Sequence, residues 1–242
     1  MAYRNDSDLS FLKNVSSSDL DVLVEVLIKD KDGDARLTEE LTMHDRYKSH
    51  SPSHNQYWDL IAAEIQCFGG NSFATMLRGG EGVVYKEVLT DACDKMKVNY
   101  NKNASVETIE MNLLMKILTD SMENMKPEEL KQIVEDLGLN TTNYSAQAVT
   151  AALQGAIKFS GFAAYQVALI VANAVAKALL GHGLKLATNA ALTRSMAIFA
   201  GPIGWALTGL WALIDIAGPA YRVTIPVVIQ VAFLRAKLKY GS

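Results

Sequence analysis

The acidic residues of this chain are confined almost entirely to its first part. Of the 26 Asp and Glu residues, 25 lie in residues 1–144, and only Asp215 lies in residues 145–242. Lys and Arg number 15 and 8 in these two parts, which therefore carry net charges of −10 and +7. This asymmetry indicates either a basic part that contacts a membrane or nucleic acid, or two lobes that pack through complementary surfaces. Because the net charge of the whole chain is −3, we expect no general nucleic-acid binding.

The first part, residues 1–144, has the periodicity of amphipathic helices and ends in a turn-rich stretch at residues 138–143. Apolar residues recur at helical spacing in five stripes: Leu20–Ile28, Tyr57–Phe68, Val84–Met96, Ile109–Met122 and Leu130–Leu137. Ser17 or Ser18 is positioned to cap the first of these helices, and Pro127 to begin the last. No segment alternates convincingly with a period of two, so this part is predicted to be an acidic all-α unit.

The second part, residues 145–242, contains two long runs without a charged residue, at 161–176 and 196–214. The runs have 16 and 19 residues, and a single bilayer-spanning helix needs about 20. Both are rich in Ala and Gly, which contribute less apolar area than Leu or Phe. They predict hydrophobic Ala/Gly-rich helices that form either the centre of a soluble α-bundle or a membrane-active hairpin. The fold class predicted for the whole chain is an all-α helical bundle.

Residues within and beside these runs are candidates for contact with a membrane or a partner. Long basic side chains can extend toward anionic headgroups, Trp residues anchor at interfaces, and small residues permit close helix approach. The candidates are Trp205, Trp211, Gly201, Gly204, Gly209, Lys158, Lys177 and Arg194. In addition, Asp215 is the one acid of the basic part and lies near Arg222, so we predict that the two form a structural ion pair.

The sequence predicts no catalytic, cofactor-binding or metal site. His44, His50 and His54 match no zinc-binding spacing and are interpreted as surface loop residues. Residues 30–34 resemble the start of an EF-hand loop, but Ala35 and Leu41 occupy the positions that require Gly and Glu. Cys67 and Cys93 lie on apolar helix faces and are expected to be inert. An enzyme whose site is assembled from Glu64, His44, Asp59 or similar residues remains a less favoured alternative.

Three segments resemble the bacterial YaaW-like family: residues 5–12 (NDSDLSFL), 58–70 (WDLIAAEIQCFGG) and 218–226 (GPAYRVTIP). That family is similar to the ubiquinol–cytochrome c chaperone group, preceded by a short N-terminal domain of unknown function. The resemblance implies a helical assembly factor for a membrane complex and supplies no catalytic or binding residues.

Together, these patterns favour a non-enzymatic helical protein that engages the inner membrane or a membrane-protein partner. Its role would be that of a chaperone, an assembly factor or a regulated membrane inserter. The alternative is a soluble protein–protein interaction module whose apolar helices are only its core. The start of the chain lacks the apolar segment of a signal peptide, so we expect a cytoplasmic location.

Overall fold

A computed structural model describes residues 2–29, 34–36, 39–69, 82–184, 190–214 and 221–241; for residues 69, 190 and 205–214 it describes the backbone alone. In these segments the chain forms ten α-helices and no β-strand, which confirms the predicted all-α fold. The helices are α1 (Ser17–Ile28), α2 (Asp45–His50), α3 (Trp58–Gly69), α4 (Tyr85–Lys95), α5 (Val106–Met122), α6 (Pro127–Asp136), α7 (Ala146–Phe159), α8 (Gly161–Leu180), α9 (Ala190–Ile214) and α10 (Tyr221–Tyr240). Short 3₁₀ helices span Ser10–Asn14, Leu41–Met43 and His54–Tyr57. Most of the EF-hand-like segment lies outside the described residues.

Serine and proline set several of the helix starts. The Ser16 hydroxyl accepts a hydrogen bond from the Asp19 backbone N–H at 3.2 Å, and Ser105 and Ser145 cap α5 and α7 in the same way. The prediction that Ser17 or Ser18 caps α1 is therefore wrong, because Ser16 has the extended backbone of a cap and Ser17 is already helical. Pro127 begins α6 as predicted, and the Lys126 N–H donates to the Glu129 carboxylate at 2.8 Å.

Helix α8 is the central helix of the C-terminal part. It packs against α5, α7, α9 and α10, and nearly all its residues between Ala164 and Ala176 are buried. With a mean hydropathy of 1.6, it is the one helix in the described segments long and apolar enough to cross a membrane. However, 67% of its most apolar window is buried inside the protein. The run at 161–176 thus has the composition of a helix that is largely buried among other helices, because such a helix is apolar on all sides.

Helix α10 joins the two parts of the chain. It packs against α8 of the second part and against α1, α3, α4 and α5 of the first. Pro226 lies inside α10, and the helix continues through this residue. Proline here removes one backbone hydrogen bond near the start of the helix. Burial of the neighbouring Ile225, Val227 and Val228 offsets that loss.

Basic side chains of the second part pair with carboxylates of the first. Arg235 binds Glu110 at 2.9 Å, Lys239 binds Glu107 at 2.7 Å, and Lys237 binds Asp19. These three cations lie in the last turns of α10 and hold that helix against α1 and α5. Since both parts also contribute to one hydrophobic core, their opposite charges meet within a single folded unit.

Candidate partner-binding site

A cleft of about 630 Å³ opens between α5, α7, α8 and α10. Its apolar lining is formed by Met111, Leu114, Met115, Ile157, Ala164, Ala232 and Ala236. Its charged lining consists of Glu107, Glu110, Lys158, Arg235 and Lys239. A volume of this size lies within the range of about 300–1,000 Å³ that is typical of ligand pockets. The cleft is therefore large enough to hold part of a partner molecule.

A buried ion pair lies on the inner side of this cleft. Arg235 Nε donates to Glu110 Oε2 at 2.9 Å, and the Tyr85 hydroxyl donates to Glu110 Oε1 at 2.8 Å. Arg235 also donates to the Asp8 carbonyl at 2.7 Å, and its guanidinium lies 4.3 Å from the centre of the Phe11 ring. This network connects the N-terminal segment, α4, α5 and α10, and so fixes two walls of the cleft.

The electrostatics of this network follow from its burial. Burial raises the pKa of Glu110, whereas Arg235 and the Tyr85 hydroxyl oppose that change by favouring the carboxylate. Burial also raises the pKa of Tyr85 well above its ordinary value, so that the phenol remains a neutral donor. For Arg235, attraction to Glu110 and Tyr85 outweighs burial and raises the pKa. The hydrogen bonds and the ion pair thus hold Glu110, Arg235 and Tyr85 together as a structural clamp.

The rim of the cleft is apolar, basic and exposed. Phe159, the last residue of α7, is 93% exposed, and the neighbouring Lys158 is exposed as well. At the start of α8, a Cβ added to Gly161 would lie 2.3 Å from the ring of Tyr240, so only glycine allows this close approach. The packing of Tyr240 against Gly161 forms one wall of the cleft beside Phe159.

A second, polar groove of about 380 Å³ lies beside α1. There His54 Nε2 binds Asp21 at 3.0 Å, and His182 Nε2 binds Glu25 at 3.0 Å. The interpretation of His54 as a loose surface residue is wrong, because it is 6% exposed and also bonds to the Tyr57 hydroxyl. Burial lowers the pKa of His54, and Asp21 opposes this change. His50, in contrast, is exposed at the end of α2.

Glu64, His44 and Asp59, the residues of the enzyme alternative, line neither of the two cavities described above. Arg46 holds both Asp59, through side-chain bonds of 2.7 and 2.8 Å, and His44, through its backbone N–H at 3.2 Å. Glu64 lies five residues beyond Asp59 on α3, about 140° around the helix. It is 2% exposed and accepts hydrogen bonds from the Glu40 N–H at 3.3 Å. Burial raises the pKa of Glu64 to about 7.

Metal-ligating and nucleophilic groups are also dispersed. Within the described residues, no group of three or more His, Cys, Asp or Glu side chains is positioned to hold a metal ion. Burial raises the pKa of Cys67 to about 11 and that of Cys93 to about 12. Both thiols therefore stay protonated near neutral pH, and a protonated thiol is a poor nucleophile.

The structure describes the surroundings of five of the eight predicted contact residues. Lys158 and Lys177 are exposed near opposite ends of α8, whereas Arg194 donates to Asp136 at 2.7 Å and so joins α9 to α6. A Cβ added to Gly201 or Gly204 would meet no atom within 4 Å, so packing within the described chain does not require these residues to be small.

The remaining predicted positions cannot be placed in the site. Only the helical backbone of α9 is described at Trp205, Gly209 and Trp211. Asp215 lies outside the described residues, and its pairing with Arg222 stays a prediction.

A family model described as ubiquinol–cytochrome C chaperone matches residues 53–229. The match includes α5, α7 and α8 of the cleft and ends within α10, before the residues of α10 that line the cleft. This chain belongs to that family. The match confirms the resemblance that the sequence motifs indicated. A second model, described as a domain of unknown function, matches residues 3–37. The residues that clamp Arg235 from the N-terminal side, Asp8 and Phe11, lie within that second match.

The relatives of this chain include bacterial proteins named UPF0174. One from Helicobacter pylori J99 is 53% identical, with 100% of this chain and 96% of the relative covered. Another from the same strain is 42% identical, with 84% and 99% covered. The UPF0174 protein YaaW of Escherichia coli K12 is 32% identical, with 96% and 95% covered. No solved structure matches the chain at a significant level.

The sequence interpretation missed the central network of Glu110, Arg235 and Tyr85. A signal was present in part, since Glu110 lies on the predicted 109–122 helix next to Ile109 and Arg235 directly follows an apolar run. Each charge is unusual at the edge of a buried face. Their partnership was not visible, because 125 residues separate them along the chain.

Proposed function

We propose that this chain is a non-enzymatic, chaperone-like protein that binds a membrane-protein partner at the cytoplasmic side of the inner membrane. The observation that carries the proposal is the match of residues 53–229 to the ubiquinol–cytochrome C chaperone family. The geometry of the chain supports a binding role, because its cleft is open and has the exposed ring of Phe159 at its rim. The helices that form the cleft are held in place by buried contacts. The carboxylates and histidines considered for catalysis are instead engaged in separate structural bonds. No cofactor is proposed.

The proposal is tested by diluting a helical inner-membrane protein out of detergent in the presence of the full chain. Light scattering measures the aggregation of the membrane protein, and an unrelated soluble helical protein of similar mass serves as the control. We expect the chain to suppress aggregation in proportion to its molar ratio and without added nucleotide. Aggregation that proceeds as fast as in the control would contradict a chaperone-like role.

A second candidate function is regulated insertion of the α8–α9 hairpin into the membrane. It is favoured by the length and hydropathy of α8, and by the candidate contacts Trp205, Trp211, Gly201, Gly204, Gly209, Lys158 and Lys177. If it operates, the chain should co-sediment with anionic vesicles, and added salt should weaken the electrostatic share of that binding. If the chain binds neither the vesicles nor the membrane protein, it would instead be a soluble interaction module.

A further inference from the structure

The length of the cleft along its two longest walls corresponds to a short α-helix. Its lining on α5 extends from Glu107 to Met115, and its lining on α10 extends from Ala232 to Tyr240. Each stretch rises about 12 Å at 1.5 Å per residue, which corresponds to about two helical turns. Met111 and Met115 lie on its apolar side, and methionine adapts its flexible side chain to partners of different shape.

The charges of the cleft leave one cation uncompensated. Arg235 is paired with Glu110, and Lys239 is paired with Glu107. Among the side chains that line the cleft, Lys158 is a cation for which the described residues provide no carboxylate. It lies next to Phe159, whose ring is almost fully exposed at the same rim. A complementary partner therefore offers apolar surface and a negative charge.

We propose that this cleft binds an apolar helical segment of a membrane-protein partner, and that a carboxylate on that segment pairs with Lys158. This proposal rests on the proposed function, in which the partner is a membrane protein. Segments of inner-membrane proteins are helical because their backbone groups must be satisfied internally. An acidic side chain within such a segment costs free energy in the lipid bilayer. Before the membrane protein is assembled, a cation on the chaperone would stabilise that side chain by pairing with it.

The test uses the full chain and synthetic amphipathic helices of about 18 residues that differ at one position, which is Glu or Lys. Fluorescence anisotropy measures the affinity of each peptide. We expect the Glu peptide to bind about threefold to fivefold more tightly than the Lys peptide, and Lys158→Glu to reverse that preference. Phe159→Ala should weaken binding of both peptides by about tenfold, because it removes apolar contact area.

Lys48→Glu is the matched control, because Lys48 is an exposed lysine on α2, a helix that does not line the cleft. We expect this variant to leave both affinities unchanged. Failure of the wild-type chain to bind either peptide would overturn the proposal, and so would a preference that Lys158→Glu does not alter. An equal effect of Lys48→Glu would also overturn it, since the charge preference would then be a property of the whole surface.

The same variants separate this proposal from the proposed function. If Phe159→Ala and Lys158→Glu suppress aggregation as well as the wild-type chain does, the cleft is not the binding site although the chaperone-like role stands. If the peptides are discriminated as expected but aggregation is not suppressed, the cleft proposal stands without the chaperone-like role. Anionic vesicles that displace the Glu peptide would assign the cleft to lipid and overturn the protein partner.

Discussion

Glu64 shows how strongly the fold alters the chemistry of one residue. Its side chain lies on α3 among buried apolar neighbours and near Glu39 and Glu40. Burial, with repulsion from these two carboxylates, outweighs the hydrogen bonds from the Glu40 N–H and raises its pKa to about 7. Glu64 therefore carries a proton in the folded chain at pH values where an unfolded glutamate has lost it.

We expect Glu64 to make the folded chain less stable as pH rises. The folded state binds the proton more tightly than the unfolded state, whose pKa is near 4.5, so the contribution of this group falls between about pH 4.5 and 7. A difference of this size corresponds to about 3 kcal/mol. Glu64→Gln should therefore be more stable than the wild-type chain at about pH 8 and similar to it at about pH 4, as measured by urea unfolding.

Glu128→Gln is the control, because Glu128 is exposed on α6. It should change the free energy of unfolding little at either pH. A Glu64→Gln variant that differs from the wild-type chain by the same amount at both pH values would contradict the raised pKa.

Arg235 provides the second prediction at the scale of single residues. Arg235→Met leaves the Glu110 carboxylate buried without its cation, which should lower the free energy of unfolding by about 3–5 kcal/mol. Lys239→Met is the matched control one turn away, because the Lys239–Glu107 pair is about half exposed. Its removal should cost about 0–1 kcal/mol. Similar losses in the two variants, measured by urea unfolding, would show that the Arg235 pair is not the buried clamp of the cleft.

Among the helices, α8 is the one whose environment, bilayer or protein interior, the sequence leaves most ambiguous. A helix without charges over 161–176 is compatible with a bilayer and with a protein interior. In the folded chain its apolar faces contact α5, α9 and α10. The structure thus provides a protein environment for the same residues that a membrane would also accept.

If α8 forms the core in solution, Leu169→Ala should lower the free energy of unfolding by about 2–5 kcal/mol, because it leaves a cavity at a side chain with 0% exposure. Leu238→Ala on α10 is the control, since Leu238 is 48% exposed, and it should change stability by less than about 0.5 kcal/mol. Urea unfolding in detergent-free buffer measures both. A loss at Leu169 no larger than that at Leu238 would indicate that α8 is not packed as described.

For the whole molecule, the charge asymmetry has a structural explanation within one chain. The part with net charge −10 packs against helices of the part with net charge +7, and ion pairs such as Arg194–Asp136 and Arg235–Glu110 cross between them. The division at residue 144 remains a proposal about domains. The contacts of α10 with α1, α3, α4 and α5 make each part depend on the other for burial.

Fragments 1–144 and 145–242 should therefore associate when mixed. Fragment 145–242 alone exposes the faces of α8 and α10 that the first part covers, so we expect it to aggregate or to bind anionic vesicles. Mixing should yield a soluble one-to-one complex, detected by size-exclusion chromatography and circular dichroism, and high salt should slow its formation. A fragment 145–242 that stays monomeric and ignores both lipid and fragment 1–144 would contradict this mutual dependence.

The sequence by itself determined five helices of the first part, with their apolar faces, and the two helices that contain the runs without charge at 161–176 and 196–214. Helix periodicity, caps and turns depend on residues within about four positions of one another. The apolar stripe at 20–28 and the helix start at Pro127 could therefore be predicted from neighbouring residues alone. The prediction that Cys67 and Cys93 are inert rests on their apolar helix faces, and burial in the folded chain raises the pKa of both thiols.

Only the tertiary structure decided what those faces contact. Glu110 and Arg235 meet across 125 residues, and buried His54 binds Asp21 of α1. The cleft exists because α5, α7, α8 and α10 meet at one place. Each of these features depends on how helices pack, and one apolar pattern is compatible with several packing arrangements and with a lipid environment.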